Sequence, residues 1–412
     1  MNTPAEPLFV SNPTGQTVLS GQAREAIPAT IRAVAPGPGD GNLRAAPLKS
    51  WRSPVLMSAD QACTAYQPAI ALDACANAYA VWLLFDGTRE RLWARRYRAD
   101  AGWGVAALVQ TEDCGSAMAP SVATQASGHA VAVWEQLDAQ RHGIWASRCS
   151  PGEAWQAPVQ IDAGSADQAH GPRVVMDLHH NAMAVWRQSD AAHSSIWCSR
   201  LEASGAGWSA PRLVELAGDT FAMGPRIAMN VRGQAMAVWY QLDGPASRVW
   251  AKRFTPQEGW AEATQIGLSH PHNGFEPHTA LNAQGDAMAV WSEFDGVRNT
   301  VWARPYAADG GWGLAQALTP MEYDAFEPQV AMDAGGRAIA VWTQVGLTQA
   351  RVWARRYTQQ RGWGAATPLT ARPQAQVDAH GPQVTMTASG SAFALWRQFD
   401  GAQHSVWINA YR

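Results

Sequence analysis

The chain has 412 residues, of which 47% are hydrophobic, and its formal net charge at pH 7 is -3. That hydrophobic share is typical of a globular protein and excludes a chain too polar to form a core. The charges are scattered, which predicts no nucleic-acid partner, and no apolar run reaches the ~20 residues of a membrane span.

The first segment, residues 1–46, is rich in Pro, Gly, Ala, Thr and Ser. Such a composition cannot bury enough apolar surface to offset the entropy of ordering, so it predicts a disordered tail or linker. No basic stretch followed by an apolar one is present, so the sequence shows no signal peptide. Of the five cysteines, Cys63 and Cys114 occupy corresponding loops, which leaves a disulfide between them open.

The remaining segment, residues 47–412, is organised by one motif, Ala-x-Ala-(Val/Leu)-Trp, which recurs seven times. A repeat with a period near fifty residues is typical of solenoids, propellers and related arrays. The motif is apolar on both faces of a period-2 strand, which predicts a strand buried on both sides. Its tryptophans are Trp82, Trp134, Trp186, Trp239, Trp291, Trp342 and Trp396.

Three more short segments complete each repeat. The segment before the motif follows a proline (Pro68 in the first repeat), and we expect the strand to begin there because a missing N–H costs least at that position. A third and a fourth segment each contain one Trp. The chain ends after the third segment of the last repeat, and Trp51 supplies the missing fourth-segment Trp.

These features predict an all-β fold, a seven-bladed β-propeller with four-stranded antiparallel blades. An N-terminal strand around Trp51 is expected to complete the last blade and so close the ring. The repeat varies in length almost only between the fourth segment and the next proline. This link is therefore the surface crossover between blades.

A polar ring follows the motif in nearly every repeat. Amide and carboxylate groups on one face of a propeller can bind hydroxyl-rich ligands, but the same residues can serve turns and neighbouring backbone groups instead. The candidate ligand-binding members are Gln136, Asp138, Gln188, Asp190, Gln241, Asp243, Glu293, Asp295, Gln398 and Asp400.

Departures from the repeat add further candidates. Two repeats combine a His before the proline with an Arg after the motif Trp, namely His170 with Arg187 and His380 with Arg397. Two others carry Phe-Glu before the proline, at Glu276 and Glu327. No nucleophile-elbow, zinc-protease or P-loop motif is present. We therefore expect no catalytic residue, no metal site and no cofactor.

Over residues 51–412 the Trp-bearing repeats resemble seven-bladed bacterial lectins of the Photorhabdus type, although no binding motif aligns residue for residue. The resemblance implies sugar binding between blades and favours a secreted or cell-envelope location. We therefore expect a non-enzymatic, lectin-like module that binds carbohydrate. The alternatives are a protein-interaction scaffold, and a glycoside hydrolase or lyase at the channel mouth near His170, His380, Glu276 and Glu327.

Overall fold

The computed structural model describes residues 32–33, 64–73, 75, 77–111, 115–138, 141–164, 168–189, 193–203, 207–215, 221–268, 273–319, 323–346, 349–370, 378–399 and 404–411. Within these residues the protein is all-β, and its strands form seven small antiparallel sheets arranged as a seven-bladed propeller. The predicted fold class is confirmed. No helix in the described ranges has the length and apolarity to cross a bilayer.

The strands follow the repeat. Strand β1 (Arg32–Ala33) precedes the repeats. Blade 1 contains β2 (Thr64–Leu72), β3 (Ala78–Phe85), β4 (Glu90–Arg98) and β5 (Gly102–Leu108). Blade 2 contains β6 (Ser116–Thr124), β7 (Ala130–Asp138), β8 (Arg141–Cys149) and β9 (Val159–Gln160). Blade 3 contains β10 (Gln168–Met176), β11 (Ala182–Ser189), β12 (Ser194–Leu201) and β13 (Arg212–Leu213).

In blades 4 to 6 the outermost strand is split into two short pieces. Blade 4 contains β14 (Ala222–Met229), β15 (Ala235–Asp243), β16 (Ala246–Thr255), β17 (Gly259–Trp260) and β18 (Thr264–Gln265). Blade 5 contains β19 (Asn273–Leu281), β20 (Ala287–Phe294), β21 (Asn299–Ala307), β22 (Gly311–Trp312) and β23 (Gln316–Ala317). Blade 6 contains β24 (Asp324–Met332), β25 (Ala338–Val345), β26 (Ala350–Thr358), β27 (Gly362–Trp363) and β28 (Thr367–Pro368).

Blade 7 contains β29 (Asp378–Met386), β30 (Ala392–Phe399) and β31 (His404–Tyr411), and its fourth strand comes from the N-terminal region. The described strand in that place is β1, which pairs in parallel with β31 through Arg32 opposite Trp407. Trp51, around which the closing strand was predicted, lies outside the described residues. Two residues of the segment predicted as a tail thus pair with the propeller.

The proline of each repeat lies inside the first strand of its blade, so the prediction that the strand begins there is wrong. Strand β10 begins at Gln168, four residues before Pro172. The pairing of β10 with β11 skips from His170 to Arg173, which leaves Gly171 and Pro172 in a β-bulge. A bulged residue is unpaired in the ladder, and the missing N–H of proline therefore costs nothing there.

The motif tryptophans form the contact between blades. The Trp134 side chain is fully buried and packs against Val81, Leu83 and Leu92 of the preceding blade. Trp186 repeats this arrangement one blade later, against Val133. Burial of ~200 Å² by each Trp contributes a few kcal/mol at ~25 cal/mol/Å².

The starts of the first strands and the ends of the second strands lie at the same end of the ring. Gln168 pairs with Ser189 in blade 3, and Ser189 pairs in turn with Ser194 at the start of the third strand. We call this end the crossover face. The polar ring and the residues before each proline therefore lie toward one face of the propeller.

Candidate functional site

The glutamines of the polar ring are bound to the tryptophans of the motif. The indole Nε1 of Trp134 donates to Gln136 Oε1 at 3.1 Å, and Trp186 donates to Gln188 Oε1 at 3.2 Å. Equivalent bonds join Trp239 to Gln241, Trp342 to Gln344 and Trp396 to Gln398, and Trp291 donates to Glu293. A polar acceptor is favourable here because a buried indole N–H without one is costly. Blade 1 carries Leu84 instead, and within the described residues Trp82 Nε1 has no hydrogen-bond partner.

The aspartates of the ring serve neighbouring groups where they are described. Asp138 accepts from Gln136 Nε2 at 2.9 Å and from the backbone N–H of Gly115 at 3.1 Å. Asp295 caps its turn through the N–H groups of Val297 and Arg298, each at 2.8 Å. Asp190, Asp400 and the side chain of Asp243 lie outside the described residues. A ligand-binding role for the ring stays a prediction.

The residue before each proline adopts the left-handed backbone conformation. Its φ is 60° at Gly171, 60° at Gly224 and 63° at Gly381, where glycine suits it. In the other four blades the same position holds Gln67 (φ 48°), Ala119 (φ 47°), Glu276 (φ 53°) and Glu327 (φ 55°). A side chain in this conformation costs roughly 1–2 kcal/mol. Because Ala119 also adopts it, the strain belongs to the bulge, and the carboxyl groups rather than the strain distinguish Glu276 and Glu327.

The two glutamates also bind the next blade. The N–H of Glu327 donates to Glu276 Oε2 at 2.9 Å, and the N–H of Gly381 donates to Glu327 Oε2 at 2.7 Å. In blade 1 the equivalent Gln67 makes the same bond, to the N–H of Ala119 at 2.9 Å. A neutral amide therefore satisfies the bond between blades. The carboxyl groups of the glutamates therefore need another explanation.

A cavity of about 320 Å³ opens at the centre of the ring, in the half nearer the crossover face. Its walls come from the first strands of blades 3 to 7 and from the second strands of blades 3 and 4. Backbone atoms of the bulges form much of the lining. The chemically active side chains in the wall are His170, Arg173, Arg187, Arg226, Tyr240, Glu276 and Glu327.

Two of these arginines, Arg173 and Arg226, are half-buried at equivalent positions of adjacent blades. The charge of Arg226, with burial second, lowers the pKa of Arg173 to about 9. Burial also lowers the pKa of Arg226, against the opposing charge of Glu276. Arg173 donates to the backbone oxygen of Pro172 at 3.0 Å, and Arg226 to that of Pro225 at 3.3 Å. The described part of the chain places no carboxylate within ion-pair distance of either guanidinium.

The acidic side of the cavity has the opposite character. Burial raises the pKa of Glu276, and the charge of Glu327 raises it further. Ser292 Oγ lies 3.5 Å from Glu276 Oε2, while Thr343 Oγ1 donates to Glu327 Oε2 at 2.8 Å. Burial also raises the pKa of Tyr240, which lies in blade 4 with Arg226 and lines the same cavity. The site thus combines a glutamate whose pKa is raised with two arginines that have no carboxylate partner within the described residues.

The structure separates the two His/Arg pairs of the sequence. His170 and its register partner Arg187 both line the cavity. His380 pairs with Arg397 in the same register, but its Nε2 lies 3.2 Å from Asp378 Oδ2, and neither residue lines the cavity. His270 and His272 lie outside the described residues.

Sequence reasoning missed Arg173, Arg226 and Tyr240. The signal was present, because the residue after each proline and the residue after each motif Trp vary from blade to blade. The position after the proline reads Ala69, Ser121, Arg173, Arg226, His278, Gln329 and Gln383. These positions surround the axis of the ring, so residues at equivalent positions of different blades lie close together in space there.

No protein-family model and no curated protein sequence matches this chain. Among solved structures, the polysaccharide lyase Uly1 is similar over 82% of this chain and 88% of its own, with a TM-score of 0.53 and 9% identity. A PL25 ulvan lyase bound to a saccharide of GlcA and Rha3S is similar over 82% of this chain and 90% of its own, with a TM-score of 0.51 and 9% identity. A protein of unknown function from Dyadobacter fermentans is similar over 85% of this chain and 95% of its own, with a TM-score of 0.48 and 10% identity.

These likenesses correct the expectation that the protein is not an enzyme. That expectation came from the architecture of lectins, whereas two similar propellers with a TM-score above 0.5 are polysaccharide lyases. At 9% identity the shared property is the fold. The resemblance to Photorhabdus-type lectins is not shown beyond the seven-bladed propeller.

Proposed function

We propose that the protein is an enzyme that cleaves a glycosidic bond of an anionic polysaccharide in the central cavity. The observation that carries the proposal is the meeting of unpaired Arg173 and Arg226 with the strained Glu276 and Glu327 in one cavity. The likeness of the fold to polysaccharide lyases agrees with it. Carbohydrate remains the expected ligand, and its site moves from the ring between blades to the axis.

The arginines define the charge of the substrate. Within the described residues the two guanidinium groups have no carboxylate partner, and the charge of Arg226 lowers the pKa of Arg173. A uronate or sulfate group placed between them removes that repulsion and accepts planar, bidentate hydrogen bonds. Arg187 adds a third cation to the same wall.

The glutamates supply acid–base chemistry. A general acid must hold its proton at the working pH, and the upward direction of the pKa shift of Glu276 favours that role. Glu327 lies at the equivalent position of the next blade and provides the second carboxyl group that glycosidic cleavage commonly uses. Both side chains lie in the cavity wall, at a bulge position that glycine fills in blades 3, 4 and 7.

The repeat itself offers variants that should preserve the fold. Gln67 shows that glutamine fits the strained position and keeps the bond between blades, which supports Glu276→Gln and Glu327→Gln. Gln329 and Gln383 occupy the position of Arg226, which supports Arg226→Gln. Glu262→Gln, at an exposed residue, serves as the matched control.

The test measures reducing-end release from uronate-containing, sulfated and neutral polysaccharides. Ultraviolet absorbance of an unsaturated product distinguishes elimination from hydrolysis. We expect cleavage of an anionic polymer, a loss of at least about 10²-fold in kcat for Glu276→Gln, and normal activity for Glu262→Gln. Arg226→Gln should lower kcat/KM by about 10-fold or more on the anionic polymer. Preference for neutral polymers, or full activity of both glutamine variants, would refute the proposal.

A further inference from the structure

A second chemical cluster adjoins the cavity where blade 2 meets blade 3. Glu135 of β7 lies directly after the motif Trp, His142 lies in β8, and His170 lies in β10. Glu135 Oε1 is 2.6 Å from His142 Nδ1 and 3.0 Å from His170 Nδ1. One ligand atom from each residue lies within 4.8 Å of the others. The two imidazole rings are 4.9 Å apart and tilted by 45°.

Neighbouring groups fix the orientation of the three side chains. The N–H of Gly171 donates to Glu135 Oε2 at 3.2 Å, which leaves Oε1 turned toward both histidines. The backbone N–H of His142 donates to Gln168 Oε1 at 2.7 Å. The Glu135 side chain is 8% exposed, whereas those of His142 and His170 are 26% and 20% exposed. A buried, anchored carboxylate thus faces two more accessible imidazoles.

The cluster occurs once in the ring, although its three positions exist in every blade. Glu135 is replaced by Ser292 and Thr343 in blades 5 and 6, and His142 by Ser194 and Ser247 in blades 3 and 4. His170 corresponds to Met118 and Met223 in the neighbouring blades. Since these substitutes occupy the same fold, the propeller does not require a Glu-His-His set. Its presence at one interface indicates a role outside the repeat.

We infer that Glu135, His142 and His170 form a binding site for a zinc-class divalent cation. Two imidazoles and one carboxylate with a position left open make the donor set of a catalytic type of zinc site. The carboxylate supplies negative charge, and its bond to the Gly171 N–H is the outer-shell contact that orients such a ligand. Because His170 also lines the cavity, the open position faces the space assigned to the substrate.

The site can be tested without turnover, so its failure is distinct from failure of the proposed function. Chelator-treated protein is titrated with Zn²⁺ by calorimetry, and with Co²⁺ to record its visible absorption spectrum. We expect one Zn²⁺ per chain, release of protons on binding, and a Co²⁺ spectrum of four- or five-coordinate type. His142→Ser should weaken Zn²⁺ binding by at least about 100-fold, beyond the 10–100-fold effect of an outer-shell partner.

His380→Ala is the control, because this histidine contacts Asp378 away from the cluster. It should bind Zn²⁺ as the unchanged protein does. Glu135→Gln keeps the shape of the side chain and provides a second variant, and thermal unfolding of each apo protein reports whether it folds. Absence of stoichiometric Zn²⁺ binding would overturn the inference. So would a Zn²⁺ affinity of His142→Ser and Glu135→Gln that equals that of the unchanged protein.

Discussion

Glu293 in blade 5 occupies a position where five other blades carry glutamine. It is 1% exposed and accepts a hydrogen bond from Trp291 Nε1 at Oε2. Within the described residues its Oε1 is buried and has no hydrogen-bond partner. Burial is the main cause that raises the pKa of Glu293 from 4.5 to about 7. We predict that Glu293→Gln stabilises the protein at alkaline pH.

The sign and size follow from proton linkage. The folded protein holds the proton more tightly than the unfolded chain, so the contribution of Glu293 to stability is fully present below pH 4.5. It is lost as the pH rises through about 7, at about 1.4 kcal/mol per pH unit. At pH 8 the ionised side chain should cost about 3 kcal/mol of unfolding free energy. Glutamine avoids this cost and can still accept from the indole, as Gln241 does from Trp239.

The assay is chemical denaturation of both proteins at pH 5 and at pH 8, followed by tryptophan fluorescence. The variant should be more stable by about 3 kcal/mol at pH 8 and by less than about 1 kcal/mol at pH 5. The reverse substitution Gln241→Glu in blade 4 should become destabilising as the pH rises. A stabilisation of the same size at both pH values, or none at pH 8, would refute the reasoning.

Three further substitutions test other parts of the structure. His278 accepts a hydrogen bond from the Val330 N–H at 3.3 Å, and its pKa is lowered to about 3, mainly by burial. The fold therefore loses stability as the pH falls below 6.5. His278→Gln should move acid unfolding, followed by fluorescence, to lower pH. Cys198→Ala removes the sulfur that accepts a hydrogen bond from Trp260 Nε1 at 3.3 Å, and it should lower the unfolding free energy in urea by about 1 kcal/mol. The thiol pKa of Cys198 is raised to about 11, which predicts slow alkylation of the native protein. Gly336 has a φ of +77°, and Gly336→Ala places a Cβ 3.0 Å from Gln359 Nε2. This substitution should lower the unfolding free energy by about 1–2 kcal/mol. Gly104→Ala is the control, because its Cβ meets its nearest atom at 3.5 Å, and it should leave the unfolding free energy unchanged.

Most of the fold could be predicted because its determinants are local and repeated. The alternation of Ala and Trp along each second strand specifies a strand buried on both faces, and seven copies specify the ring. The position of the proline misled the strand boundary, since a missing N–H is tolerated both at a strand start and in a bulge. The left-handed backbone at Glu276 and Glu327 was not foreseen for the same reason.

The site was predicted only in part, because its residues are far apart in sequence and meet only at the axis. His170, Arg187 and the two glutamates broke the repeat clearly enough to be noticed. Arg173 and Arg226 lie at the position after the proline, which holds five different residue types in the seven blades. In so variable a position the two arginines did not stand out as a pair. Only the folded ring places one beside the other.

The repeat provides an internal standard for separating stability from function. Where the blades agree, as in the motif Trp and its amide partner, the residue satisfies the interface, and a departure such as Glu293 is expected to cost stability. Where they disagree around the axis, the same bulge is built by Gly171, Gly224 or Gly381 and by Glu276 or Glu327. The glutamates add a carboxyl group that the interface does not use, whereas the strain of roughly 1–2 kcal/mol at this position is shared by Gln67 and Ala119. Two adjacent blades carry these carboxyl groups in the wall of the cavity that also holds Arg173 and Arg226, which is the pattern that the proposed active site predicts.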